Sequence, residues 1–317
     1  MLPTRTPAFE RFIAPARERP ELYRLIGGAL LAVAVWPLSI LVVVGGGYAV
    51  LVLTSPEWAE EFFRAITDEG TPVSTVFFFS TFIGLIVGIF VTLRLVHRRR
   101  LSSLIGPSRR ILWRHYLCGL GVVAALAALT GGLSALSQPP KPHLEFRTWL
   151  SWLPAAAILL AVQTATEELF FRGYLMQQLA ARFRSRWLWW VLPSLLFGAM
   201  HYNPSTFGSN AWLVVASAAI LGLILADVAT RTGNLSASMG MHFANNFTAV
   251  ALVGLPGQLS GLSLYHSTID MTDAIAVRNG ILMQMAVILI CYLVYLIFAA
   301  RRLPSDNGNA SAAGVLV

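Results

Sequence analysis

Long apolar runs dominate this chain and restrict it to folds that are stable inside a lipid bilayer. Several runs exceed the ~20 residues that an α-helix needs to cross the hydrocarbon core. Apolar residues make up 56% of the 317 residues and charged residues only 12%, whereas soluble domains carry roughly 25% charge. The sequence also lacks the alternating ten-residue segments of a membrane β-barrel. It therefore predicts an all-α fold, a polytopic transmembrane helical bundle.

The apolar runs predict about eight spans. They are Leu25–Leu53, Thr75–Val96, Tyr116–Leu136, Trp149–Phe171, Trp187–Tyr202, Ala211–Thr230, Leu235–Val253 and Ile281–Ala300. The chain then divides into a cytosolic N-terminal arm (1–24), N-terminal transmembrane helices (25–148), a core (149–253), an outer loop with the last transmembrane helix (254–300) and a tail (301–317). The tail is polar and rich in small residues, which predicts disorder.

The net charge of +8 reflects topology rather than a nucleic-acid partner. With the N-terminus inside, 19 of the 23 Lys and Arg residues fall in inner segments and four in outer ones. The positive-inside rule then selects a cytosolic N-terminus and a cytosolic C-terminus. We therefore expect a multi-pass protein of the cytoplasmic (inner) membrane, with membrane lipids as partners and no nucleic acid.

The N-terminal arm, the loop after the first span and the two cysteines give three further predictions. The arm holds five arginines with acids and prolines between them, which is too polar for a signal peptide. In the loop after the first span, Ser55, Pro56 and the acids next to them predict a short surface helix. Cys118 and Cys291 lie within apolar runs, so neither a disulfide framework nor a cysteine metal site is expected.

The stretch TATEELFFRGYL places charges against an apolar run. Glu168 and Arg172 are four residues apart, so on a helix they share a face and form an ion pair. Glu167 is rotated by about 100° and points elsewhere. An ionisable group at membrane depth suggests function, but these three residues could also simply cap a helix at the cytosolic surface.

Two further motifs lie on later spans. In FGAMH, Phe197 and His201 share a helix face, and in HFANN, His242 and Asn246 do so. Each motif has a structural alternative, because histidine and asparagine commonly form hydrogen bonds between membrane helices. Small residues before His242 favour close approach of its helix to a neighbour.

Taken together, the three motifs supply groups suited to hydrolysis. A carboxylate and an imidazole can activate water as a general base, and an imidazole and an amide can donate hydrogen bonds to an oxyanion. A covalent serine mechanism is not supported, because the sequence shows no G-x-S-x-G elbow.

EELFFR, FGAMH and HFANN resemble the E-E-x-x-x-R, F-x-x-x-H and H-x-x-x-N motifs of the type II CAAX prenyl protease family. This family of intramembrane endopeptidases is also called CPBP. The resemblance covers about 149–253 and implies that Glu167 and His201 activate water. It further implies that His242 and Asn246 stabilise the oxyanion and that Glu168 and Arg172 support the site. The implied substrate is a membrane-associated or lipidated protein or peptide.

The depth of the charged cluster is a separate question. If the fourth span ended at Phe171, Glu167 would lie at the cytosolic surface and His201 about 21 Å deeper, at 1.5 Å per residue. The two residues reach one level only if the helix continues past Gly173 toward Arg182. We therefore predict this longer helix, with Arg172 buried beside Glu168.

Two other functions stay open. Glu167, His201 and His242 could bind Zn²⁺ as in a metalloprotease, but the sequence has no H-E-x-x-H motif and the neighbouring Arg172 opposes a dication. We therefore expect a site without a cofactor. The chain could also be a non-catalytic membrane scaffold, or an immunity or export factor, with the same fold.

The charge asymmetry yields a testable topology. In cells that express the variants Ala65→Cys and Ile105→Cys without the two native cysteines, an impermeant thiol reagent should label position 65. Position 105 should react only after the membrane is permeabilised. Labelling of intact cells at position 105 but not at position 65 would invert the topology.

Overall fold

The structure is a computed structural model that describes residues 5–257, 259–300 and 302–308. Most of these residues are helical. The helices are α1 (Pro7–Ile13), α2 (Leu22–Thr54), α3 (Pro56–Thr67), α4 (Pro72–His97), α5 (Trp113–Ser137), α6 (Phe146–Arg182), α7 (Trp187–Ala199), α8 (Ala211–Thr232), α9 (Ser236–Phe247, continued by a π-helical turn Thr248–Leu252) and α10 (Ala274–Ala299).

Every predicted span coincides with a helix, which confirms the polytopic helical bundle. Six runs are long and apolar enough to cross a membrane, and they contain α2, α4, α5, α6, α8 and α10. The other two predicted spans correspond to α7 and α9, which are shorter. The number of crossings and the orientation stay predictions. The predicted surface helix is present as α3, with Pro56 at its first position.

Helix α6 extends to Arg182, as the depth argument predicted. It is 37 residues long, or about 55 Å at 1.5 Å per residue. Its segment Leu169–Leu175 is π-helical, directly after the two glutamates. Such wider turns inside α-helices are frequent at functional sites, and the sequence pattern did not predict this one.

A small sheet accompanies the helices of the all-α bundle. Its two-residue strands are β1 (Lys141–Pro142), β2 (Val253–Gly254) and β3 (Tyr265–His266), in the order β1-β3-β2. β1 is antiparallel to β3, and β2 is parallel to it. Because β1 precedes α6 and β2 follows α9, the sheet joins these two helices at the end of the bundle opposite the arm.

At the other end, the arm and the tail cover the helices. Asp306 is buried and accepts hydrogen bonds from the Ser108 hydroxyl (2.7 Å) and the Asn234 amide (2.8 Å). These contacts correct the expectation of a disordered tail for residues 302–308. Position 301 and residues 309–317, and residues 1–4 of the arm, lie outside the described residues.

Two glycines set the distance between α5 and α9. A Cβ added to Gly240 would lie 2.1 Å from the Tyr116 carbonyl oxygen, and one added to Gly119 would lie 2.3 Å from the Ala237 carbonyl oxygen. Small residues permit such close contact of backbones in membranes, as predicted for the segment before His242. The two glycines therefore allow α9, which carries His242 and Asn246, to pack closely against α5.

This contact makes Gly240→Ala destabilising. The added methyl group meets backbone that cannot rotate away, and overpacking typically costs about 1–3 kcal/mol. Thermal unfolding in detergent should show a clearly lower midpoint than for wild type. Gly121→Ala on α5 is the matched control, because no atom lies within 4 Å of its added Cβ. Equal midpoints for the two variants would contradict the close contact.

Candidate functional site

The predicted ion pair of Glu168 with Arg172 is present on α6. Arg172 Nη1 donates to Glu168 Oε1 at 2.9 Å, and the exposed fractions of the Arg172 and Glu168 side chains are only 2% and 0%. The guanidinium carbon of Arg172 also lies 4.5 Å from the centre of the Phe197 ring, within the range of a cation–π contact. A charge without a partner is strongly unfavourable at such a buried position, so neither residue is expected to be tolerated there without the other.

His242 lies between the two glutamates. Its Nδ1 is 3.0 Å from Glu168 Oε1, and its Nε2 is 3.5 Å from Glu167 Oε2. The residue is 1% exposed. Successive residues on a helix are rotated by about 100°, so the two carboxylates approach the ring from different sides. The sequence reasoning had separated Glu167 from the paired face, yet one imidazole on α9 contacts both.

Asn246 lies one turn along α9 from His242 and contacts α6 as well. Its Nδ2 donates to Gln163 Oε1 at 3.0 Å, and its Oδ1 accepts from Asn245 at 3.1 Å. Gln163 is buried and precedes Glu167 by four residues, so the two share one face of α6. The sequence reasoning missed Gln163, although a polar residue one turn before Glu167 was the available signal.

His201 follows the end of α7. Its Nδ1 donates to the Phe197 carbonyl at 2.9 Å, so Nε2 is unprotonated in the neutral ring. The Phe197 ring packs against both imidazoles, with centroid distances of 4.8 Å to His201 and 5.7 Å to His242. Among the described residues, His201 has no direct hydrogen bond to Glu167 or His242. It is exposed, whereas those two are buried.

The depths of Glu167 and His201 agree. Glu167 lies 15 residues before Arg182, and His201 lies 14 residues after Trp187. These separations correspond to about 22 Å and 21 Å from the same end of the bundle. The continued α6 thus brings the motif residues to one level, which a helix ending at Phe171 would not have done.

Three buried polar atoms of the site have no hydrogen-bond partner among the described residues. They are Glu167 Oε2, Glu168 Oε2 and Arg172 Nη2. Buried polar atoms are nearly always hydrogen-bonded, and each exception in a native structure needs a specific explanation, such as a catalytic role or a bound water. Two acceptors and one donor therefore retain capacity for a water molecule or for polar groups of a substrate.

The zinc alternative can be tested against the geometry. Glu167 Oε2 and His242 Nε2 are close enough to share an ion, but the described residues contain no group of three His, Cys, Asp or Glu side chains that could hold one. Glu167, His201 and His242, the ligands of the zinc alternative, therefore do not form such a group among the described residues. In addition, Arg172 places a positive charge beside the site, which opposes a dication.

Two buried polar clusters outside the motifs hold other helices in place. His97 Nε2 on α4 is 2.9 Å from the hydroxyl of Tyr174 on α6. Asp227 on α8 is 2% exposed and bonds both Arg231 on the same helix and the hydroxyl of Tyr292 on α10. Neither cluster was predicted, because its partners are distant in sequence or carry no motif.

Comparison with known proteins gives a family match over the segment that carries the three motifs. Residues 148–248 match a family described as type II CAAX prenyl endopeptidase Rce1-like, which confirms the predicted resemblance over the three motifs. The chain is 28% identical over 167 residues to an uncharacterized protein of Bacillus subtilis (strain 168), YyaK. That alignment covers 51% of this chain and 55% of YyaK, so the chain spans about half the length of this curated relative. No solved structure matches the chain.

The buried pair predicts a stability effect for Glu168→Gln. This change leaves the Arg172 guanidinium buried without its counter-charge, and breaking a buried pair on one side costs about 3–5 kcal/mol. The variant should unfold at a lower temperature in detergent. The double variant Glu168→Gln/Arg172→Met should recover part of the loss, since no lone guanidinium is then buried. A double variant no more stable than Glu168→Gln would show that the charge of Arg172 is not the cause.

Proposed function

We propose that this chain is an intramembrane endopeptidase that hydrolyses a peptide bond of a membrane-associated or lipidated protein or peptide. The observation that carries the proposal is the position of His242 between Glu167 and Glu168, with ring nitrogens 3.5 and 3.0 Å from the two carboxylates. Two further findings support the proposal: the described part of the chain has six helices long and apolar enough to cross a membrane, and residues 148–248 match a family of peptidases.

Glu168 has a positioning role in this proposal. It is ionised beside Arg172 and accepts the Nδ1 hydrogen of His242, which fixes the orientation and tautomer of the ring. The Nε2 atom then faces Glu167. A buried carboxylate that orients an imidazole from behind is a recurring arrangement in hydrolases.

Glu167 is the proposed general base. Two carboxylates and one guanidinium leave one negative charge of the buried cluster uncompensated, and in this proposal Glu167 carries that charge and can accept a proton. Glu167 accepts a proton from the attacking water, whose oxygen bonds to the scissile carbonyl carbon. The same proton then passes to the departing amine as the C–N bond breaks. His201, with its Nε2 free, assists from the exposed side of the Phe197 ring.

Asn246 is the proposed oxyanion donor. One hydrogen of its Nδ2 is directed to Gln163 and its Oδ1 accepts from Asn245, so the amide is held and the second hydrogen is available. A held donor that need not reorganise is worth about 2.7–4 kcal/mol in other hydrolases. His242 supports the same oxyanion from Nε2 when that nitrogen carries a proton.

The activity test compares Glu167→Gln with wild type. The change keeps the volume and removes the basic oxygen, and general base catalysis is worth about 10²–10⁴-fold. We expect the cleavage rate to fall by that factor while thermal stability in detergent stays near wild type. Thr164→Val is the matched control, because Thr164 is buried on α6 and bonds only carbonyls of its own helix.

The substrate for this assay comes from comparing membrane peptides of cells that carry wild type or Glu167→Ala. If Glu167→Gln stays active while Glu168→Gln is stable but inactive, the roles of the two glutamates are reversed. If no peptide differs and no cleavage occurs, the non-catalytic alternative replaces the peptidase. Loss of activity on chelation, restored by zinc, would favour the metalloprotease.

A further inference from the structure

A cavity lined by arginines lies at the end of α6, away from the motif residues. Its volume is about 530 Å³, within the ~300–1,000 Å³ of small-molecule sites. One wall belongs to the N-terminal arm and the other to the segment that joins α6 to α7. The charged side chains that line it are Arg5, Glu10, Arg17, Arg182 and Arg184.

The arm side of this arginine cavity is internally paired. Arg5 Nε contacts Glu10 Oε1 at 2.6 Å, and Arg17 pairs with the other oxygen of Glu10. Burial alone would raise the pKa of Glu10, but the two arginines outweigh it and the pKa lies below its ordinary value. Glu10 is therefore ionised, and its negative charge compensates about one of the two positive charges on this wall.

The other wall carries charges that the described residues leave without a counter-ion. Arg182 and Arg184 are exposed and form neither a hydrogen bond nor an ion pair from their guanidinium groups to any described residue. Four arginines thus face one glutamate. Arg5 also donates to the carbonyls of Ala180 (3.0 Å) and Phe183 (3.2 Å), which fixes the arm against the end of α6.

The cavity lies where lipid headgroups are expected. Trp187, three residues after Arg184, is 75% exposed, and exposed tryptophans at span ends mark the membrane–water interface. Basic pockets at this level bind anionic headgroups, whose phosphate oxygens match the planar guanidinium fork. We propose that the arginine cavity binds the phosphate of an anionic phospholipid, with Arg182 and Arg184 as its principal contacts.

A titration of the full-length protein in detergent tests this site independently of any peptidase activity. The probes are dihexanoyl phosphatidylglycerol, dihexanoyl phosphatidylcholine and glycerol phosphate, each followed by calorimetry. Phosphatidylglycerol should bind, and more weakly at high salt. The double variant Arg182→Gln/Arg184→Gln should weaken its binding about tenfold or more, since both phosphate contacts are lost.

The matched control is Arg110→Gln/Arg114→Gln, which removes the same charge from exposed positions that do not line the cavity. It should leave the affinity within about twofold of wild type, because exposed charges that do not line the cavity are screened by solvent and salt. Equal losses for both double variants, or equal affinity of wild type for the two lipids, would overturn the proposal. Binding of glycerol phosphate as tight as that of the lipid would assign the site to a soluble phosphate instead. Thermal unfolding of both double variants establishes that they are folded.

Discussion

The buried ion pair of Glu168 and Arg172 constrains everything around it. Neither group can be buried alone without a large desolvation penalty, so each is buried only beside the other, within α6 and against α7 and α9. The Phe197 ring of α7 packs over the guanidinium, and Nδ1 of His242 on α9 contacts Glu168 Oε1, the oxygen that also accepts from Arg172. The pair thus connects three helices whose motif residues are far apart in sequence.

The same pair explains why adjacent glutamates have different surroundings. Glu168 is fully enclosed and bonded to a cation and an imidazole, whereas Glu167 is approached, among the described residues, by His242 Nε2 at 3.5 Å. The close contact of α5 and α9 at Gly119 and Gly240 fixes the position of the helix that carries His242. A shift of α9 by the width of a methyl group would change both distances from His242, so the site depends on residues without chemistry of their own.

Helix periodicity and hydropathy made most of the fold and part of the site predictable from the sequence. The apolar runs located the helices, and the four-residue spacing placed Arg172 beside Glu168. The contact of His242 with both glutamates was not predictable, because periodicity describes the faces of one helix and not the rotation of a second helix against it. Gln163 was predictable in part, because it lies one turn before Glu167 on the same helix, but its contact with Asn246 depends on that rotation. Asp306 lies in a stretch whose composition resembles disordered chain, and contacts with residues distant in sequence, such as Ser108 and Asn234, hold it in place.

The length of α6 also limits what can reach the site. Glu167 lies about 22 Å from the Arg182 end of this helix and about 32 Å from the Phe146 end, at 1.5 Å per residue. An extended peptide covers about 3.3 Å per residue, so about seven unwound residues separate the arginine-rich end from Glu167. For the proposed peptidase, a substrate held outside the bundle at the arginine-rich end would need a flexible tether of at least that length before its scissile bond. If the substrate is the lipidated tail of a folded domain, the tail must be longer than this tether. With a shorter tail, the domain would contact the protein before the scissile bond reached the carboxylates.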